Sequence, residues 1–191
     1  MTLYFAYGSN LSHTQMSLRC PHSTYHALGV LPCYKWIIGE RGYANIISSS
    51  NPNDSVIGML YMLSPSDEET LDRAEGVPHA YTKHHLPISI LTPPPNPSTL
   101  KGGVLAHPRI PLDPEYTPAP GPTTVEALVY IDARRLEEGV CKEEYVHRMN
   151  RGIKDAVAKG MSQEYVKQVM RRFVREEEVL KAEEVKDPFH I

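Results

Sequence analysis

Leu3-Tyr4-Phe5-Ala6-Tyr7-Gly8-Ser9-Asn10-Leu11 is an aromatic and apolar run that passes directly into a small-residue turn. Leu3 to Tyr7 reads as a strand covered on both faces, and Gly8-Ser9-Asn10 has turn composition. A helix is expected next. Ser12-His13-Thr14-Gln15 has capping-box spacing, in which Ser12 accepts from the Gln15 amide while the Gln15 side chain reaches back, and Pro21 marks the end. A glycine turn feeding a helix start leaves several backbone N–H groups pointing the same way, which suits a carboxylate, a phosphate or a developing oxyanion. A tight strand-to-helix turn that binds nothing has the same composition.

Outward from this stretch, the apolar patterning predicts further strands. Ala27 to Glu40 reads as a long strand with a break at Pro32, and Tyr43 to Ile47 as a short one before the polar loop Ser48 to Asp54. Val56 to Leu63 is apolar nearly throughout, with Gly58 leaving room for a bulge or a close backbone approach. Tyr81 to Leu91 and Val125 to Ile131 bring the expected number of strands to about six. Lys142 to Lys159 predicts a helix with Tyr145, Met149, Ile153 and Val157 along one apolar stripe, and Gly160 ends it. Ser162 then caps a long helix whose Val166, Val169, Met170 and Phe173 form a packing face. The adjacent His84 and His85 would point to opposite faces of their strand and cannot chelate one metal.

Between Thr92 and Thr124 lie ten of the chain's 17 prolines. That composition cannot build ladder hydrogen bonds, so the segment reads as an insertion over the scaffold, a lid or decoration, with Val104 to Leu112 its most ordered part. The expected organisation is one domain over residues 1–175, interrupted by the 92–124 insertion and followed by a charged helical extension over 176–191. A chain of 191 residues suffices for one such core. A net charge of −3 and a pI near 6.3 give no footprint for nucleic acid or a membrane. The basic cluster Lys167, Arg171, Arg172 and Arg175 reads as a solvated helix face. Cys20, Cys33 and Cys141 are too few and scattered for a disulfide framework or a metal cage, which points to a reducing compartment. With no apolar run of spanning length and no charged leader, the expectation is a cytoplasmic protein.

Ser64 to Gly76 carries the chemistry-bearing candidate. Ser66 with Glu69 has capping-box spacing, acidic residues fill the first turn, and Gly76 suits the left-handed position after the last. Leu71 and Ala74 face the core, and so does Glu75, at i+4 from Leu71. A carboxyl at that place is pushed toward its neutral form by lost hydration and by the negative end of the helix dipole. A glutamate moved from about 4.3 toward roughly 6 or 7 takes and returns a proton near neutral pH. A rim glutamate with only its stem covered is the plainer alternative.

Tyr4 to Leu11, followed by Leu71-Asp72-Arg73-Ala74-Glu75-Gly76-Val77 and by Tyr81 six residues after the glutamate, resembles the γ-glutamylcyclotransferase-like family in motif, order and spacing. The similarity continues more weakly at Tyr145 with Gly152 and at Gly160-Met161-Ser162-Gln163-Glu164-Tyr165. The resemblance implies a mixed α/β (α+β) fold, a small curved β-barrel of about six strands with surrounding helices. It implies a lyase or acyltransferase that converts a γ-glutamyl compound to 5-oxoproline and a free amine without cofactor or metal, as in glutathione metabolism. Glu75 is then the catalytic acid/base, the backbone amides of Tyr7, Gly8, Ser9, Asn10 and Leu11 serve the substrate, and Tyr81 and Tyr145 line the site. The partner is a small γ-glutamyl molecule, and the resemblance is compatible with a homodimer. Two other readings stay open on the residues: Ser9 as the nucleophile of an amidase, and a non-catalytic small-molecule-binding module on the same frame.

Overall fold

The computed structural model describes residues 1–91 and 123–177. The strand read from Leu3 is β1 (Thr2–Ala6), and it leads through a single 3-10 turn (Ser9–Leu11) into α1 (His13–Arg19). The Ser12 hydroxyl caps α1 by accepting from the Gln15 amide. Gln15 does not reach back as expected, because its side chain amide is taken up by Ser9 and Asn10. The long strand expected over Ala27 to Glu40 breaks where Pro32 predicted it would. Cys33 has a φ of +60°, and the chain leaves β2 (Thr24–Pro32) there to enter β3 (Tyr34–Ile38), which pairs with β4 (Ala44–Ser48) as a separate hairpin.

β5 (Ser55–Leu63), β6 (Thr82–Leu91) and β7 (Thr124–Ile131) complete the strands. The barrel closes with five of them, in the order β1-β5-β2-β6-β7, rather than with about six. The described residues hold seven strands because the one expected over Ala27 to Glu40 divides at Cys33 into β2 and β3, and the β3–β4 hairpin stands outside the barrel. Closure comes from β7 running parallel to β1 at Leu128 and Tyr4, whereas the other neighbours are antiparallel. So small a barrel must curve sharply, and β2 and β5 place Gly29 opposite Gly58 where it does. A Cβ on Gly58 would lie 2.4 Å from the Ala6 carbonyl oxygen and 2.7 Å from the Phe5 ring, which is the close backbone approach that its sequence position suggested.

α2 (Pro65–Ala74) starts earlier than expected. Ser64, not Ser66, is the N-cap, and its capping box closes with Asp67 rather than Glu69. Pro65 decides this: its fixed φ and missing N–H suit the first helical position. Gly76 does take the left-handed conformation, at φ +64°. α3 (Glu143–Ala158) buries Tyr145, Met149 and Ile153 along the predicted stripe. The helix capped by Ser162 is short, α4 (Gln163–Gln168), because the backbone turns at Val169 into a 3-10 turn (Met170–Arg172). Met170 and Val174 are still buried there.

The Thr92 to Thr124 insertion, including Val104 to Leu112, lies outside the described residues up to residue 122, as does the charged extension beyond Glu177. Among the described residues no helix is long and apolar enough to cross a membrane.

Because the oxygen facing Gly58 belongs to the backbone, it cannot swing aside. Gly58→Ala is expected to lower the unfolding free energy by about 1–3 kcal/mol, measured by urea denaturation.

Candidate active site

One end of the barrel is covered by the turn after β1, the end of α2, the β3–β4 hairpin and the first turns of α3. They enclose a cavity of about 210 Å³. Trp36 of β3 is buried and donates from its indole nitrogen to the Tyr7 carbonyl at 2.9 Å, so the hairpin is fastened to the end of β1. Gly8 is required by crowding: a Cβ there would sit 2.7 Å from the Tyr145 hydroxyl of α3. The Ser9 amide donates to that hydroxyl at 3.0 Å, and the Leu11 amide donates to the Gly8 carbonyl at 2.9 Å. Of the amides expected to serve a ligand, those of Gly8 and Asn10 have no acceptor among the described residues. Leu11 does not line the cavity. It is fully buried under α3, where a Cβ on Gly152 would lie 2.9 Å from the Leu11 Cβ.

Glu75 follows the last residue of α2, and its side chain lines the cavity beside the turn. Its Oε1 accepts from Asn10 Nδ2 at 3.1 Å. Asn10 is itself held on all sides: Nδ2 also donates to the Tyr4 hydroxyl at 2.9 Å, and Oδ1 accepts from Gln15 at 2.6 Å and from Arg19 at 3.3 Å. Gln15 Nε2 also lies 2.8 Å from Ser9 Oγ, and Gln15 Oε1 accepts from Arg148 Nε at 2.9 Å. Arg148 returns to Ser9 Oγ with a second donor at 2.9 Å. The Ser9 hydroxyl thus accepts from an amide and a guanidinium. A nucleophilic serine needs a base beside it, and these two neighbours are donors.

Burial holds the Glu75 carboxyl above the usual carboxylate range. Arg19, Arg148, the Asn10 hydrogen bond and Arg41 oppose that rise, in that order, without cancelling it. The direction is the one expected from its place on the helix, but the counterweight of three guanidinium groups is new. Burial also pushes up Tyr4, Tyr7, Tyr81 and Tyr145, so all four stay protonated at neutral pH. Tyr7 and Tyr81 spend their hydroxyls on the carbonyls of Tyr130 and Ala44, so they offer a ligand their rings.

The structure brings Glu75, Tyr7, Gly8, Ser9, Asn10, Tyr81 and Tyr145 to one cavity. It adds Tyr4, Arg19, Arg41, Tyr43, Tyr130 and Arg148 to the lining, none of which the sequence singled out. Arg148 lies one turn beyond Tyr145 on the same face of α3, and Arg19 one turn beyond Gln15 on α1, so helical spacing held a signal for both. Arg41 had none, because a hairpin turn places it.

A closed small barrel with a lone carboxyl at one end, facing open backbone amides, defines a site for a small polar molecule. The comparisons with known proteins point the same way. The family model described as "Gamma-glutamyl cyclotransferase, AIG2-like" matches residues 4–108. A curated γ-glutamylcyclotransferase from Bos taurus is 24% identical over 176 residues, spanning 83% of this chain and 88% of its own. A Homo sapiens γ-glutamylcyclotransferase is 34% identical over 85 residues, 39% of this chain and 44% of its own. A solved structure described as a γ-glutamyl cyclotransferase superposes with a TM-score of 0.66 at 20% identity, covering 96% of this chain and 94% of the other. The chain belongs to the γ-glutamyl cyclotransferase, AIG2-like family and is an enzyme of that type.

The raised carboxyl also affects stability. A group whose pKa is higher folded than unfolded favours folding below its unfolded value, about 4.3, and loses that contribution as pH rises through the folded value. Glu75→Gln cannot ionise. It is therefore expected to melt at a higher temperature than the wild type at pH 7–8, and the gap should close as the pH falls toward about 4. Calorimetric melting temperatures across that range check the sign.

Proposed function

We propose that the chain cyclises γ-glutamyl compounds, releasing 5-oxoproline and a free amine, with Glu75 as the proton carrier. The observation that carries this reading is the half-buried Glu75 carboxyl, raised by burial and fixed at 3.1 Å from Asn10 of the turn whose amides stay open. The substrate's α-ammonium group must lose a proton before its nitrogen attacks the δ-carbonyl carbon. The new N–C bond closes a five-membered ring, the ring nitrogen gives up a second proton to become the lactam N–H, the bond from that carbon to the leaving nitrogen breaks, and the two protons depart on the expelled amine as its ammonium. One carboxyl held above the usual carboxylate range by burial accepts and returns each of these protons in turn. No atom is oxidised or reduced, so the reaction asks for no redox cofactor.

Attack is intramolecular, so the protein's main task is to hold the glutamyl moiety bent. The open amides of Gly8 and Asn10 serve an anionic oxygen of that moiety, in a cavity whose walls are tyrosine rings. Glu75 acts between them, on the amino group. γ-Glutamyl amino acids, γ-glutamyl amines and glutathione-type conjugates all present the same reacting end. The two donors on Ser9 Oγ support this reading over a serine amidase.

Glu75→Gln is expected to lower 5-oxoproline release by about 100-fold or more, while calorimetry still registers binding of the γ-glutamyl compound. Turnover at the wild-type rate refutes the mechanism, and binding without consumption by the wild type makes the protein a binding module. In the active enzyme kcat/KM should fall on the acid side, with its limb above the ordinary carboxylate value of about 4.3, because Glu75 must be ionised to accept the proton.

A further inference from the structure

The turn between β3 and β4 carries Arg41 to the cavity. Its guanidinium carbon lies 5.7 Å from the Tyr43 ring centroid and 5.4 Å from that of Tyr81, so two rings fix its plane. Its Nη1 is buried and has no hydrogen-bond acceptor among the described residues. The nearest carboxylate, Asp132, is 4.0 Å away, beyond hydrogen-bond reach, and the same oxygen accepts from Arg135 at 2.7 Å. The other cavity arginines are committed. Arg19 donates to Asn10, Arg148 to Gln15 and Ser9, and Arg73 to Thr70. A buried guanidinium N–H without an acceptor is costly to leave unmade, and a carboxylate satisfies it best.

The position of Arg41 says which carboxylate. Glu75 and Asn10 touch, so the cyclising glutamyl end of a substrate belongs between them and the Gly8 turn. Arg19 and Arg148, on that inner side, are 5% and 9% exposed, whereas the Arg41 side chain is 34% exposed. Among these three, Arg41 also exerts the weakest pull on the Glu75 carboxyl. It stands at the rim, where the expelled amine must leave. We propose that Arg41 binds the carboxylate of the leaving amino acid, so that this enzyme selects γ-glutamyl α-amino acids over γ-glutamyl amines. The proposal rests on the assignment of Glu75 and the turn to the glutamyl end.

The test uses the full chain with γ-glutamyl-alanine and γ-glutamyl-ethylamide, which differ only by the carboxylate of the leaving group, and follows 5-oxoproline. The wild type is expected to favour the alanine compound by about 10–100-fold in kcat/KM, the value of one charge-assisted contact. Arg41→Met keeps the aliphatic stem over the tyrosine rings. It should reduce the preference to within about threefold, chiefly through KM for γ-glutamyl-alanine, and Arg41→Lys should retain part of it. A wild type that handles both compounds equally, or an Arg41→Met variant that keeps the wild-type preference, overturns the proposal. Glu75→Gln is measured with both compounds alongside. Its retention of turnover refutes the proton-carrier reading, while Glu75-dependent turnover with no carboxylate preference refutes only the role of Arg41.

Discussion

A carboxyl group removed from water either finds positive partners or takes up a proton, and the site of this protein is arranged around a balance between the two. Glu75 has three guanidinium groups in its field and one amide hydrogen bond, and burial still wins. Arg148 is anchored on Gln15 and Ser9, and Arg19 on Asn10, and the charge of both acts on the Glu75 carboxyl.

The rest of the lining is chemically quiet by the same logic. Buried tyrosines are pushed away from ionisation, arginines do not lose their protons, and among the described residues the lining contains no histidine, cysteine or lysine. Glu75 is the carboxyl among these lining groups, and burial makes it hold its proton more firmly than an exposed glutamate does.

The local rules read from the sequence held wherever one residue type settles a local question. The capping by Ser12, the left-handed Gly76, the break at Pro32 and the tolerance of Gly58 for a close neighbour are all present. They failed where two local signals competed, as at Pro65, which moved the start of α2 back from the site marked by Ser66. They also failed where tertiary partners took over a side chain. Gln15 had the spacing of a capping residue, yet Ser9, Asn10 and Arg148 claimed it. The five-strand closure was hidden for a related reason: whether a strand stays in a sheet depends on its neighbours, and among the described residues the β3–β4 hairpin pairs with no barrel strand. In the site, motif residues close together in the chain were legible, whereas Arg41 and Tyr130 reach the cavity only through the topology.

The bond from the Ser9 amide to the Tyr145 hydroxyl joins residues 136 positions apart. Leu11 rests on Gly152 of the same helix. The residues nearest the start of the chain are thus shaped by a helix that forms only after the last barrel strand has been laid down. During synthesis the glycine turn emerges before α3 does and remains without its template until that helix arrives, so the turn takes its final shape late.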